Sequence, residues 1–364
     1  MSPYSSSNPW LHVAARMVED VGVRAGELVL VRDRIGDPAL LVEVLLAVEE
    51  RGGTPLPEVM TSAYVNRLLA GTDPARLSDW DARRQDWVRA ADRIIKLTDG
   101  TGDLSGMSTG ALEAWGQAVT RLSEVEDERR IPSVLVAIPT ADQAGRLGMT
   151  VSELEEVVLP ALVTPVGELS GQLEGVLRHA LGGSRLTVLT GEGCTLHLRR
   201  DGRPCHVDDG IIDNSDLDGG HVANLPAGAL YTTVIEDAVD GDLWLERAGP
   251  ARDVRLHFES GRVTGIEAAE GAVGLSALFD GESGESRRIS HVGIGFNRRL
   301  RRPIGWELVD EHIHGALIVA FDENRYLGGR NASSLNVDFC SLQATVYADR
   351  QMVVDRGAIP ESRA

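Results

Sequence analysis

The apolar pattern of this chain changes once, near Gly182-Gly183-Ser184, and that change limits the folds open to it. Before it, short apolar runs alternate with longer stretches of helical spacing. Leu11, Ala14, Ala15 and Val18 fall on one face of a helix over Pro9 to Val21, with Pro9 in its first turn. Leu28 to Val31 is a continuous apolar run, the pattern of a strand buried on both faces. Asp37-Pro38 opens a second helix that runs through Val48 and stops at Gly52-Gly53, where the chain returns to a strand. Ile94 to Leu97 and Val134 to Ile138 repeat the strand pattern, with helical segments at Asp79 to Ala91 and Ser108 to Asp127. Thr150 and Glu153 form a capping box, and Ser170 to Leu181 is amphipathic. This is the rhythm of βαβ units, so residues 1–183 are expected to form an open-sheet α/β domain.

After Gly183 the strands are short, β-branched and separated by glycine or Asp/Asn turns. Arg185 to Thr190, Thr195 to Arg199, Leu230 to Ile235, Asp242 to Leu245, Val254 to Phe258 and Val263 to Ile266 are the clearest. This pattern predicts a β-rich domain of antiparallel sheet or barrel over residues 184–364.

Composition narrows the partners. A net charge of −19 argues against nucleic acid and anionic membranes, which require clustered Lys and Arg. No apolar run is long enough to span a bilayer, and Met1 to Met17 lacks the pattern of a secretory signal, so a cytoplasmic protein with a small-molecule substrate is expected. The three cysteines, Cys194, Cys205 and Cys340, form no CxxC pair and support neither a zinc knuckle nor a disulfide framework. Cys194, His197, Cys205 and His206 share one hairpin at irregular spacings, which favours a structural role. Thr98 to Gly102 follows a strand but lacks a phosphate-loop lysine and reads as a turn.

Candidate chemistry gathers between His291 and Asp338. His291 precedes a glycine turn, and Asn336 and Asp338 lie two apart on a strand and share its face. An imidazole, an amide and a carboxylate that converge can bind a metal or handle protons. His312 and His314 share a face if their segment is extended, and either could help. The basic run Arg298, Arg299, Arg301 and Arg302 is a candidate anion clamp for substrate beside His291, and otherwise a salt-bridged surface.

Several stretches resemble the aminopeptidase T family of metallo-aminopeptidases. They include Val136 to Thr140, Asp208-Asp209-Gly210, Asn224-Leu-Pro-Ala-Gly228 with Glu236-Asp237, His291-Val-Gly-Ile-Gly-Phe-Asn297, Gly328-Gly329 and Asn336-Val-Asp338-Phe. The resemblance covers roughly residues 130–357 and implies a two-part fold and a homodimer. That family holds two metals with Glu, His, Asp and Tyr side chains. Here the matching positions carry Ala229, His291, Ile318, Asn336 and Asp338, with Tyr326 near the tyrosine position. Only Asp338 is retained clearly. The related 2,5-dihydroxypyridine ring-cleaving dioxygenases hold one non-heme Fe(II) with a His in the glycine-turn segment and a late His-x-Asp pair. His291 and Asp338 match two of those ligands, and Asn336 replaces the third.

Three readings follow from these residues. One is a mononuclear Fe(II) enzyme acting on a hydroxylated aromatic or heteroaromatic ring, with His291, Asn336 and Asp338 as ligands and Tyr326 in catalysis. Another is a diverged metallo-aminopeptidase or amide hydrolase with a remodelled metal site, for which another divalent metal is the alternative to iron. The last is a metal-free enzyme or small-molecule-binding protein in which Asp338 orients His291 as a base.

Overall fold

The computed structural model describes residues 8–100, 104, 106–173, 183–212 and 222–360, except for the side chains of 171, 172, 192 and 326. Its strands, in chain order, are β1 (Leu28–Asp33), β2 (Thr54–Val59), β3 (Arg93–Thr98), β4 (Ser133–Ala137), β5 (Arg185–Leu189), β6 (Thr195–Arg199), β7 (Cys205–Asp208), β8 (Val222–Leu225) and β9 (Ala229–Thr233). They continue with β10 (Val239–Ala248), β11 (Ala251–Glu259), β12 (Arg262–Glu270), β13 (His291–Gly295), β14 (Leu317–Phe321), β15 (Val337–Ser341), β16 (Thr345–Ala348) and β17 (Gln351–Val354). Among the described residues, no helix is long and apolar enough to cross a membrane.

The chain divides into two compact units. The first comprises Met1–Val163 and Gly210–Pro226, the second Thr164–Asp209 and Ala227–Ala364. In the first, five parallel strands run in the order β2-β1-β3-β4-β8. The apolar run of β1 explains its central place: Val29, Leu30 and Val31 are fully buried, and Leu30 packs with Val88, Ile94, Leu122 and Ile131. Asp37 starts the helix Pro38–Glu50 by accepting hydrogen bonds from the Ala39 and Leu40 amides.

The division differs from the expected break at residues 183/184 in two respects. The segment from Thr164 belongs to the second unit, held there by Thr164 Oγ1 donating to Asn297 Oδ1 at 3.3 Å and by Arg299 pairing with Glu168 at 3.2 Å. β8 returns to the first unit as the edge strand beside β4, although its sequence neighbours on both sides belong to the second. The expected helix Ser170 to Leu181 lies largely outside the described residues; a helix is described over Val166–Gln172.

One row of the parallel sheet is charged. The register sets Glu58, Arg32 and Lys96 side by side, and Arg32 donates to Glu58 and to Glu126, each at 2.8 Å. Lys96 reaches Glu126 at 2.5 Å. Removing Arg32 would leave Glu58 to Arg84 and Glu126 to Lys96 alone, so Arg32→Ala is expected to cost about 3 kcal/mol, the low end for breaking a buried ion pair. Urea unfolding of the purified variant measures it, and a loss below about 1 kcal/mol would contradict a buried role for this arginine.

The second unit contains two antiparallel sheets, ordered β12-β11-β10-β6-β5-β16-β17 and β15-β14-β13-β9-β7. The apolar face of the five-stranded sheet carries Val292, Val319, Phe321 and Phe339. Phe321 stacks on Phe258 of the larger sheet, with ring centroids 6.3 Å apart, and meets Phe279 edge-on at 4.9 Å. This aromatic layer forms the core between the two sheets.

Candidate functional site

Residues paired across neighbouring strands project to the same side of a sheet. On the five-stranded sheet, the side opposite the aromatic layer carries Asp338, Ala320, His291 and Thr233 in one row. The next row is Cys340, Ile318, Gly293, Tyr231 and His206, and a further one is Gly295, Ala229 and Asp208. One face of a single sheet therefore bears most of the candidate side chains.

Two more acids reach this face from the chain between β13 and β14. A Cβ on Gly295 would lie 2.3 Å from the Ile313 carbonyl oxygen and 2.6 Å from that of Glu311. Only the bare glycine lets this backbone rest on the sheet. Asn297 N donates to the His312 carbonyl at 2.9 Å and fixes the approach. Glu311 then hydrogen-bonds the Asp338 carboxyl, while Glu307, from the short helix Glu307–Asp310, accepts from the Asp338 amide. His312 is fully buried, with Nε2 3.3 Å from Asp208 and Nδ1 3.7 Å from Glu311.

His291 is buried at the edge of this group. Its Nδ1 lies 3.5 Å from Asp322 Oδ1 and 3.2 Å from Ser290 Oγ. Burial opposes its charge, but Asp322 and Asp338 outweigh that and raise its pKa. Tyr231 stands between His291 and His206, with ring centroids 5.6 Å from each. Burial lowers the pKa of His206 and favours its neutral form.

The acids repel one another. Burial and the neighbouring Asp338 push Glu307 up to about 8, although the residue retains exposed surface. Burial raises Asp310 to about 6, against the pull of backbone amides including Ile304 and Gly305. Glu311 is raised well above the carboxylate range by burial and by Asp338, Asp208 and Glu307. Asp338 is raised by burial and Asp322, despite two imidazoles, and its Oδ1 is sealed from solvent without a hydrogen-bond partner. Burial, and then the same acids, push the Cys340 thiol well above its ordinary range, which disfavours it as a nucleophile.

The expected residues fare unequally. His291 and Asp338 share the face, flanking Ala320, but His291 Nδ1 faces Ser290 Oγ and Asp322 Oδ1 instead. Asn336 is exposed just before β15 and makes none of these contacts. His312 and His314 do not share an extended face: His312 is buried against Asp208, and His314 Nδ1 lies 3.2 Å from the Phe296 carbonyl. Arg298 is exposed beyond the end of β13 opposite His291, so the basic run is not beside that imidazole. Tyr326 sits in the turn Arg325–Leu327, and its side chain lies outside the described residues.

Sequence reasoning missed Asp322, Glu307, Glu311 and Tyr231, and it gave His206 a structural role in its hairpin. Glu311 had a signal in its acid-and-histidine segment. The others needed the strand pairing.

No family model matches the chain, and no curated protein does. Two solved structures match it along nearly its whole length. AmpT from Thermus thermophilus is 18% identical, with a TM-score of 0.74 over 97% of this chain and 99% of that one. The 2,5-dihydroxypyridine dioxygenase of Pseudomonas putida is 16% identical, with a TM-score of 0.63 over 98% of this chain and 99% of that one.

Glu307 and Asp310 both have folded pKa values above their unfolded ones. Their contribution to stability is full below the unfolded pKa and is lost as pH rises through the folded value. In chelator-containing buffer, stability should therefore fall as pH climbs from the carboxylate range to about 8. Glu307→Gln should flatten the upper part of that decline in urea midpoints measured across pH; an unchanged slope would mean that Glu307 is already ionised. With a parallel α/β sheet, two antiparallel sheets and a match to AmpT along nearly its whole length, the chain has an aminopeptidase T-like fold.

Proposed function

We propose that this protein is a small-molecule enzyme that works with one divalent cation, held by His291 and Asp338, and acts on a hydroxylated aromatic or heteroaromatic ring. The observation that carries this reading is the crowd of acids around Asp338 Oδ1, a sealed oxygen without a donor. The charges acting most strongly on Glu307, Glu311 and Asp338 are other carboxylates and two imidazoles. A cation would relieve that repulsion, and an oxygen-rich set with imidazole suits Mg(II), Mn(II) or Fe(II).

Among the described residues, no three His, Cys, Asp or Glu side chains are grouped so that they could hold an ion as they stand. The donors must therefore be drawn together. Ala320 leaves room for this, because its methyl group is all that stands between His291 and Asp338 in their row. Two strand spacings separate their Cα atoms by about 10 Å, a gap that an imidazole and a carboxylate can close around one ion from opposite sides.

Bound there, the ion would supply Lewis acidity, and iron(II) would add the redox chemistry with dioxygen that ring cleavage requires. The protein's own groups divide the remaining work. Glu311 holds a proton beside Asp338 and can release it when positive charge arrives. Tyr231 and His206 provide stacked rings on the same face for a planar substrate. The dioxygenase likeness supports the ring chemistry, as does a histidine at position 291, where the resemblance places that enzyme class's own ligand.

The aminopeptidase reading is weaker because Ala229 and Ile318 lie on this face, both buried, at positions where that family carries ligands. Neither side chain can bind a second ion.

Calorimetric titration of chelator-treated protein with Mn(II) is expected to show one site per chain. His291→Ala and Asp338→Ala should each weaken it by at least about tenfold. The Fe(II)-loaded protein should consume dioxygen with 2,5-dihydroxypyridine and leave leucine p-nitroanilide uncut. Two tight sites with release of p-nitroaniline would reverse the assignment, and no binding at all would leave His291 as a metal-free base.

A further inference from the structure

Two groups compete for Nδ1 of His291. Ser290 Oγ, at 3.2 Å, can donate or accept, so it does not by itself decide which ring nitrogen carries the proton. Asp322 Oδ1 lies 3.5 Å away, and a carboxylate oxygen can only accept. A carboxylate there calls for a proton on Nδ1 and leaves the lone pair on Nε2.

The turn that carries Asp322 is built with unusual care for a surface connection. Asn324, fully buried, donates from Nδ2 to the Ser290 carbonyl at 2.8 Å, which ties the turn to the residue before His291. Its Oδ1 accepts from the Asn331 amide at 2.7 Å. Asn331 Nδ2 in turn donates to the Asp322 carbonyl at 2.7 Å. Gly329 closes the turn against the Asn324 amide group: a Cβ at that position would lie 2.0 Å from Asn324 Oδ1. Both ends of this small network therefore act on the pair, one through the backbone at Ser290 and the other through the backbone of Asp322.

We infer that Asp322 is the positioning residue of this site. It holds His291 with its proton on Nδ1, so that Nε2 is the atom that meets the ion or substrate, and the Asn324–Asn331 turn keeps it in place. Carboxylate–histidine pairs of this kind fix ring orientation and tautomer wherever an imidazole must present one nitrogen. The use made of Nε2 rests on the function proposed above; the tautomer does not.

The test is the ring-nitrogen spectrum of ¹⁵N-histidine-labelled, chelator-treated full-length protein, followed as pH is raised until the ring has lost its cationic proton and the signals stop moving. His291 is assigned by its loss in His291→Gln. It should show a protonated Nδ1 and a bare Nε2. Asp322→Asn should reverse or mix the two, because an amide can donate to Nδ1, whereas Ser290→Ala should leave them unchanged. Asn324→Ala should mix the tautomers while Asp322 is still present. In parallel, Asp322→Asn should weaken Mn(II) binding about 10- to 100-fold. A wild-type ring protonated on Nε2 overturns the inference, as does a reversal caused by Ser290→Ala and not by Asp322→Asn. If Asp322→Asn does not fold, the wild-type and Ser290→Ala spectra still decide. The expected tautomers without any Mn(II) binding would uphold the positioning role and remove the cation.

Discussion

β13 pairs with β14 on one side and β9 on the other, and the whole site depends on that register. A shift of one residue would turn His291 into the aromatic layer and bring Val292 out in its place. The aromatic layer prevents such a shift, because Phe321 and Phe339 fit only on the face toward Phe258 and Phe279. Hydrophobic packing on one side of the sheet thus holds a polar group in position on the other. This permits buried acids to sit side by side: the fold, not their own interactions, keeps them there.

Gly295 extends the same constraint to the segment above the sheet. Because the chain at 311–313 rests directly on this glycine, Glu311 and His312 enter the site from outside the strands. The result is a continuous series of titratable groups, from Asp208 through His312 and Glu311 to Asp338. With like charges so close, neutral acids are favoured until a cation or a proton acceptor arrives. The raised Glu307, Glu311 and Asp338 are physical signs of that tension.

The likeness to AmpT and to the dihydroxypyridine dioxygenase extends over nearly the full chain, yet the identities are low and establish only the fold. Function must rest on the face itself. That face carries buried Ala229 and Ile318 beside His291 and Asp338, with Asp322, Glu307 and Glu311 nearby.

Much of the architecture was legible in the sequence. The apolar run at Leu28, the Asp37-Pro38 helix start and the Thr150–Glu153 capping box describe local preferences, and local preferences survive folding. That His291 and Asp338 come onto one polar face was also legible, through motif order. What the sequence could not determine were relations between distant segments. β8 lies within a β-rich stretch, but its neighbour β4 is in the parallel sheet, and only tertiary pairing decides that. Asn336 shares parity with Asp338, yet it precedes the paired strand and points into solvent. His312 and His314 looked like an extended pair until the chain turned over Gly295 and buried one of them. Asp322 carries no motif of its own; it becomes the partner of His291 because Ala320, two residues earlier, pairs with His291 across the sheet. Periodicity within a strand is written in its own residues, whereas the register between strands is set by the core they share.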